Sequence, residues 1–133
     1  MYTVKQIADQ LNVTTDTIRY YSKLGIIEPH RDPENGYRYY SNNDIRIINF
    51  ILKAKNYGLT INEISTIINK SLKGESPCEL VIEMVTNHYT ETRNKIKELQ
   101  DLENRLKQAL LNWSVVDEIE AELDLICPLI ESE

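Results

Sequence analysis

The stretch Thr14-Thr15-Asp16-Thr17-Ile18-Arg19-Tyr20-Tyr21 places hydroxyls, a guanidinium and two phenols on one short segment, directly after a turn at Asn12-Val13. Gly25 is a stop signal, so we predict a helix over residues 14–24. Before the turn, apolar side chains recur at helical spacing after a capping-box start. Two short helices joined in this way are typical of a helix-turn-helix, in which the second helix contacts DNA. The stretch therefore predicts a recognition helix.

Downstream of Gly25, two short β-like runs flank a turn-rich segment that contains Asn35-Gly36, a strong hairpin signal. The second run, residues 37–40, alternates aromatic rings with Arg38. A guanidinium and phenol hydroxyls can donate to phosphates, so we predict a wing that lies against the DNA backbone. The alternative is that these tyrosines fill the core of the head. We expect at least one of the three to do so.

A second pair of helices follows the predicted wing. Ser41 with Asp44, and Thr60 with Glu63, have the spacing of capping boxes, and isoleucines at helical spacing follow each pair. Lysines near the end of the first of these helices are more often a solvated face than a DNA contact. Because Lys55 lies beside a predicted DNA-binding head, it remains a candidate phosphate contact.

From Pro77 to about Trp113, residues spaced by seven and a second interleaved set give an a/d seam over four heptads, which is apolar except at Thr92 and Glu103. A helix of about 36 residues spans on the order of 54 Å, which is too long to fold back on so small a head. Its economical partner is the same helix of a second chain, with closed two-fold symmetry. The predicted dimerisation residues are Val85, Tyr89, Ile96, Leu99, Leu106, Leu110 and Trp113.

The charge of the chain is polarised along its length. The net charge is −6, yet residues 1–57 carry eight Lys/Arg against six Asp/Glu, while residues 58–133 carry seven against fifteen. A mildly basic head can neutralise phosphates locally, and an acidic C-terminal part is kept off the duplex. After Trp113 we predict a short acidic helix and then a Cys-Pro turn.

Other classes of protein fit the sequence less well. It has no apolar run long enough for a membrane span and no signal-peptide pattern, so we expect a cytoplasmic protein without a membrane partner. It has no nucleophile–base constellation and no phosphate-cradling glycine loop, so we expect no enzyme. A non-catalytic coiled-coil interaction protein would leave the predicted recognition helix and wing without a purpose.

Residues 2–60 resemble the MerR family of bacterial transcription regulators. The likeness rests on several motifs in order, which are Ile18-Arg19-Tyr20-Tyr21, Leu24-Gly25-Ile26-Ile27, Asn35-Gly36-Tyr37-Arg38-Tyr39-Tyr40-Ser41 and Gly58-Leu59-Thr60. The resemblance implies a homodimer whose recognition helices enter successive major grooves of promoter DNA. The activated dimer of this family bends and underwinds that DNA, and so acts on RNA polymerase indirectly.

The predicted fold class is mainly α, with a winged helix-turn-helix DNA-binding head, a second helix pair and a long antiparallel coiled-coil dimerisation helix. We divide the chain into a DNA-binding domain at 1–74, a dimerisation helix at 75–113 and an effector-binding or capping segment at 114–133. The residue pattern and the resemblance together predict DNA contacts by Thr15, Arg19, Tyr20, Tyr21, Tyr37, Arg38, Tyr39 and Lys55.

Cys78 and Cys127 are the only cysteines. In a cytoplasmic chain they favour metal or thiol chemistry over a structural disulfide, and the alternative is that each is a small buried hydrophobe. In the metal-sensing branch of the family, a cysteine starts the dimerisation helix, a second follows its end and a third lies in a Cys-Pro turn. Cys78 matches the first and Cys127 the third, but Trp113 stands where the second should fall.

Three kinds of effector therefore stay open. A soft or divalent metal ion could bind through Cys78 and Cys127, completed by Asp124 or His88. A thiol could instead be oxidised or alkylated. In the third interpretation, Trp113 and the acidic helix form a small organic pocket or a closed cap. No cofactor follows from the sequence with certainty.

Overall fold

The computed structural model describes residues 1–114 and 125–132, and it confirms a mainly helical fold. The predicted acidic helix falls on residues 115–124 and lies outside the described residues. In chain order the elements are β1 (Tyr2–Thr3), α1 (Val4–Leu11), α2 (Thr15–Lys23), β2 (His30–Arg31), β3 (Arg38–Tyr40), α3 (Asn42–Lys55), α4 (Ile61–Leu72), α5 (Cys78–Trp113) and α6 (Pro128–Glu131).

Side chains at the N-caps explain where three of these helices begin. In each, the N-cap hydroxyl accepts a hydrogen bond from the backbone amide three residues on, and the side chain at that position accepts one from the N-cap amide. Such a cap contributes about 1 kcal/mol. The pairs are Thr3 with Gln6, Ser41 with Asp44, and Thr60 with Glu63. All three predicted capping boxes are confirmed.

The wing belongs to a three-stranded antiparallel sheet in the order β1-β3-β2. Tyr2 pairs with Tyr40, and Arg31 pairs with Arg38. The predicted hairpin is present as β2 and β3, whereas β1 has no signal in the sequence. A strand of two residues is too short to show an alternating pattern, and Thr3 is at the same time the N-cap of α1.

The head has an apolar core, built from the helices α1 to α4, from β3 and from two residues of the connecting loops, Ile27 and Leu59. Its buried members are Ile7, Ala8, Ile18, Tyr21, Ile27, Tyr40, Ile48, Ile51, Ala54, Leu59, Ile64 and Ile67. Tyr40 confirms that at least one tyrosine of the wing strand is core. Early residues of α5, among them Met84 and Val85, pack against this core.

That packing gives Val85 a contact that the heptad repeat did not predict. The repeat runs through Val85, so the sequence places it in the dimer seam. In the structure Val85 is half-buried against the core of the head, and its place in the seam stays a prediction. The chain divides into two compact units, Met1–His88 and Tyr89–Glu133, so the first turns of α5 group with the head. The division of the sequence at residues 74 and 113 stays a prediction.

Candidate nucleic-acid interface

The recognition helix α2 is amphipathic, with a buried face and an exposed polar face. Its N-cap Thr14 accepts a hydrogen bond from the Thr17 amide at 3.2 Å, which fixes the start of the helix after the turn. Ile18 and Tyr21 are buried in the core. Arg19 is exposed and Thr15 is half-buried, and because the two are one helical turn apart their side chains share one side of the helix. The core thus holds the helix while its polar face stays available.

Arg19 is held by weak contacts on that face. Its Nη1 donates to Thr15 Oγ1 at 3.3 Å and to Asp16 Oδ1 at 3.4 Å. The Arg19 side chain is 56% exposed and that of Asp16 is 92% exposed. An ion pair this exposed contributes at most about 1 kcal/mol, so it costs little to exchange it for a phosphate or a base edge. These contacts therefore orient the Arg19 side chain, but they are weak enough to be exchanged for a contact with DNA.

The two adjacent phenols of α2 have different environments. Tyr20 is 49% exposed, whereas Tyr21 is 1% exposed and belongs to the core. Their ring centroids are 5.8 Å apart, with the rings tilted by 51°. The prediction that Tyr21 contacts DNA is wrong in this structure, because its ring fills the inward face of the helix. Tyr20 keeps its predicted place on the surface.

The tip of the wing is a tight turn stabilised by two short side chains. Asp32 Oδ1 accepts from the Glu34 amide at 2.8 Å, and Asn35 Oδ1 accepts from the Tyr37 amide at 2.9 Å. Gly36 has a φ of 72°, a left-handed conformation that glycine adopts without strain. The turn leaves the side chains next to it exposed.

The residues after the turn become more buried along the strand. Tyr37 and Arg38 are exposed, Tyr39 is half-buried and Tyr40 is fully buried. The Tyr39 hydroxyl accepts from Asn35 Nδ2 at 3.3 Å, which links the strand to the tip of the wing. The predicted wing contacts therefore lie on an accessible edge, and their role in DNA binding stays a prediction.

A partly buried hydrogen bond joins β3, the strand of the wing, to the recognition helix. The hydroxyls of Tyr40 and Ser22 are 3.0 Å apart, and Ser22 Oγ donates to the Ile18 carbonyl at 3.1 Å. The sequence analysis missed Ser22, because the two partners are 18 residues apart and no local pattern marks them. Only the pairing of a small hydroxyl on the inward side of α2 with a buried phenol could have suggested it.

A second polar link connects α4 to α5. His88 Nε2 lies 2.7 Å from Glu63 Oε1, the same oxygen that accepts from the Thr60 amide at 2.9 Å. These hydrogen bonds, first from Thr60 and then from His88, lower the pKa of Glu63 below its ordinary value of 4.5. His88 is therefore half-buried and engaged with a carboxylate through Nε2, and its suggested role as an additional metal ligand stays a prediction. Lys55 is exposed at the end of α3.

Beyond His88, the predicted seam of α5 carries large apolar side chains that are exposed in the single chain. The exposed members are Tyr89, Ile96, Leu99, Leu106 and Leu110. Trp113 is half-buried, and its Nε1 has no hydrogen-bond acceptor within the described residues. It lines a mostly apolar cavity of about 500 Å³ together with Leu102, Leu106 and Ile130.

The two cysteines lie at the starts of two helices. Cys78 is exposed at the first residue of α5. Cys127 is half-buried at the N-cap of α6, where its amide donates to Glu131 Oε2 at 2.9 Å. Within the described part of the chain, no group of three or more His, Cys, Asp or Glu side chains is placed to hold a metal ion.

Over residues 1–114 and 125–132, none of the helices combines the length and the apolar character needed to cross a membrane.

Comparisons with known proteins identify the family to which the head is similar. The family model described as "MerR HTH family regulatory protein" matches residues 2–71, and the model "MerR, DNA binding" matches residues 45–109. The mercuric resistance operon regulatory protein of Bacillus cereus is 30% identical over 105 residues, which cover 79% of this chain and 80% of that protein.

Two solved structures show the same fold. The transcription regulator PbrR691 from Ralstonia metallidurans CH34, in complex with lead(II), aligns with a TM-score of 0.76 at 23% identity and covers 99% of this chain and 98% of its own. HiNmlR, a MerR family regulator that lacks the sensor domain and is bound to promoter DNA, aligns with a TM-score of 0.52 at 23% identity, covering 85% and 90%. The chain belongs to the MerR family and is a DNA-binding transcription regulator.

Proposed function

We propose that this chain acts as a homodimer that binds promoter DNA through α2 and the wing, and distorts that DNA in response to an effector. The observation that carries the proposal is the outward polar face of α2, on which Thr15, Arg19 and Tyr20 stand over a helix anchored by Ile18 and Tyr21. Such a helix can enter a major groove without losing its own packing. Bending and underwinding of the promoter would then act on RNA polymerase indirectly.

The two arginines of this surface have different tasks in the proposal. Arg19 lies on the recognition helix, where a guanidinium can contact a base edge or a phosphate. Arg38 lies on the wing, where phosphate contacts set register but carry no sequence information. The weak ion pair of Arg19 and the exposure of Arg38 leave both groups free to exchange partners.

The test is titration of the protein's own upstream DNA with the parent chain and three variants. Arg19→Ala and Arg38→Ala should each weaken binding by about 1–3 kcal/mol if the guanidinium makes a charge-assisted contact. Arg38→Ala should weaken binding to all sequences and flatten the salt dependence. Arg105→Ala, which removes the same charge from an exposed position of α5, is the control. Equal affinity of all four proteins would refute the docking model.

The dimer rests on the seam of α5. Five large apolar side chains exposed along one stripe of a helix are costly in water, and a second copy of the same stripe can cover them. An antiparallel arrangement follows from the likeness to the family, and it would bring the start of each α5 beside the end of its partner. Two heads on one molecule could then contact two half-sites at once.

For the effector we propose a soft metal ion held by Cys78 of one protomer and Cys127 of the partner. Two thiolates suit a soft ion that accepts few ligands, and mercury, the metal in the name of the related resistance regulator of Bacillus cereus, is such an ion. An antiparallel pair of α5 helices would bring these two positions together and give two equivalent sites per dimer. With Trp113 at the place of a further thiolate, binding should be weaker or differently selective than with three cysteines.

A small organic effector is the second candidate, because the cavity beside Trp113 has a buried indole N–H without an acceptor within the described residues. Oxidation or alkylation of a thiol is the third. Elemental analysis of protein purified without chelator separates the first from the other two. A stoichiometric soft metal supports the cysteine site, and metal-free protein that still switches its promoter would direct attention to Trp113.

A further inference from the structure

The hydrogen bond between Tyr40 and Ser22 connects two segments that each carry a predicted DNA contact. Tyr40 is fully buried, and it is the last residue of β3, the central strand of the sheet. Ser22 is on α2, three residues after Arg19, and Arg38 is two residues before Tyr40. The two hydroxyls therefore connect the segment that carries one arginine to the segment that carries the other.

The protons of this link can be assigned from its geometry. A serine hydroxyl has one proton, and that of Ser22 is donated to the Ile18 carbonyl at 3.1 Å. The Tyr40 hydroxyl, 3.0 Å away, must then donate to Ser22 Oγ. The result is a chain of two hydrogen bonds that runs from the wing strand through Ser22 into the backbone of α2, and each bond depends on direction as well as distance.

Such a hydrogen bond restricts the angle between β3 and α2 more tightly than apolar packing alone does. Apolar contacts around the Tyr40 ring are non-directional, so they tolerate small rotations of the sheet against the helix. A directional hydrogen bond does not tolerate such rotations, and both arginines lie a short distance from it along the chain. Arg38 is about 7 Å along the strand from Tyr40, and Arg19 is about 4.5 Å along the helix axis from Ser22. This hydrogen bond therefore helps to set the distance between the two segments that carry the guanidinium groups.

We infer that Ser22 and Tyr40 are a positioning pair for DNA, which holds the wing at the angle that lets Arg38 and Arg19 contact one duplex together. The inference rests on the proposed function, because it assumes that both arginines contact DNA. Neither hydroxyl touches DNA itself, since Tyr40 is fully buried and Ser22 half-buried behind the outward face of α2.

The test uses the full chain and five variants, which are Tyr40→Phe, Ser22→Ala, these two changes combined, Arg38→Ala, and Arg38→Ala combined with Tyr40→Phe. Tyr40→Phe keeps the ring and removes only the donor, so the core keeps its packing. Binding to the upstream DNA is measured at several salt concentrations, at a temperature where circular dichroism shows every variant folded.

We expect Tyr40→Phe and Ser22→Ala each to weaken binding by about three- to tenfold, and the double variant to be no weaker than either. In the Tyr40→Phe background, Arg38→Ala should cost less than in the parent, and the salt slope should already be flattened, because the misaligned wing contacts fewer phosphates. A purely structural role would lower the melting temperature without moving the salt slope or the cost of Arg38→Ala.

The outcomes separate this inference from the function on which it depends. If the parent shows no sequence-specific complex, the proposed function fails. If the parent binds and loses affinity on Arg38→Ala, while Tyr40→Phe binds like the parent with the same salt slope, only the positioning role is overturned. Additive losses for Tyr40→Phe and Ser22→Ala would overturn it as well, because the two hydroxyls would then act independently.

Discussion

Replacing Leu99 with alanine should weaken the proposed dimer strongly while leaving each chain folded. Leu99 is 65% exposed in the single chain, so about two thirds of its surface is available for burial by a partner helix. Complete burial of a leucine is worth about 1.5–3 kcal/mol, which gives about 1–2 kcal/mol for this fraction. Because the dimer is two-fold symmetric, the substitution removes two leucine side chains from the interface. The free energy of dimerisation should therefore weaken by about 2–4 kcal/mol.

The expected result is a dissociation constant of the dimer that is about thirtyfold to about a thousandfold higher than that of the parent. Sedimentation equilibrium over a range of concentrations measures this constant directly. The helix itself should not suffer, because alanine is the best helix former, so the far-UV circular dichroism of Leu99→Ala should match the parent. A more severe variant, Leu99→Asp, places a charge in the seam and should give a monomer at micromolar concentration.

The matched control is Asn94→Ala, a change at an exposed position of α5 that lies about 140° around the helix from Leu99. It should leave the dissociation constant unchanged. A parent chain that is monomeric at micromolar concentration would refute the dimer. A dimer that Leu99→Ala and Asn94→Ala weaken equally would refute the seam, and the contacts between chains would have to be sought elsewhere.

Three further predictions follow from the head and the cysteines. Tyr21→Ala should lower the free energy of unfolding by about 3–5 kcal/mol, as measured by urea denaturation, because it removes a buried aromatic ring. Tyr21→Phe keeps the ring and should leave DNA binding unchanged. A loss of DNA binding on Tyr21→Phe would contradict the buried role of Tyr21. The lowered pKa of Glu63 means that its carboxylate stabilises the fold above its ordinary pKa of 4.5, and that this contribution is lost as the pH falls through the lower pKa of the folded state. Glu63→Gln should therefore be less stable than the parent near neutral pH by a margin that closes in acid, unlike the exposed Glu91→Gln. Serine at both Cys78 and Cys127 should abolish the promoter response to a soft metal ion and keep metal-free DNA binding, and an unchanged response would exclude the thiol site.

Much of the head could be predicted because its signals are local. The capping boxes, the stop at Gly25 and the Asn35-Gly36 turn are each read within a few residues, and the structure contains all of them. The length of α5 also agrees with the heptad repeat, which continues until Trp113. A local hydrogen bond or a periodic apolar pattern decides each of these features, so the rest of the chain had little influence on them.

The sequence could not predict the environment of residues that contact distant parts of the chain. Tyr20 and Tyr21 are the same side chain at adjacent positions, and only the direction of the core separates an exposed phenol from a buried one. Val85 fits the heptad, yet the head core contacts it first. His88 gave no sign of its partner, because Glu63 is 25 residues away in the sequence. Periodicity identifies a face of a helix but not what covers it.

In the proposed dimer, the seam decides how tightly the protein holds DNA as well as whether two chains associate. One head reaches a single half-site, but joining two heads makes the second contact intramolecular, at an effective concentration in the millimolar range for short connections. The helix that carries the seam also packs its first turns against the head core, through Met84 and Val85. A change at Cys78, the first residue of that helix, therefore acts on the element that supports the head and also carries the dimer contacts. A bound ion would need no separate relay to bias the angle of the heads, because one continuous helix bears both sets of contacts.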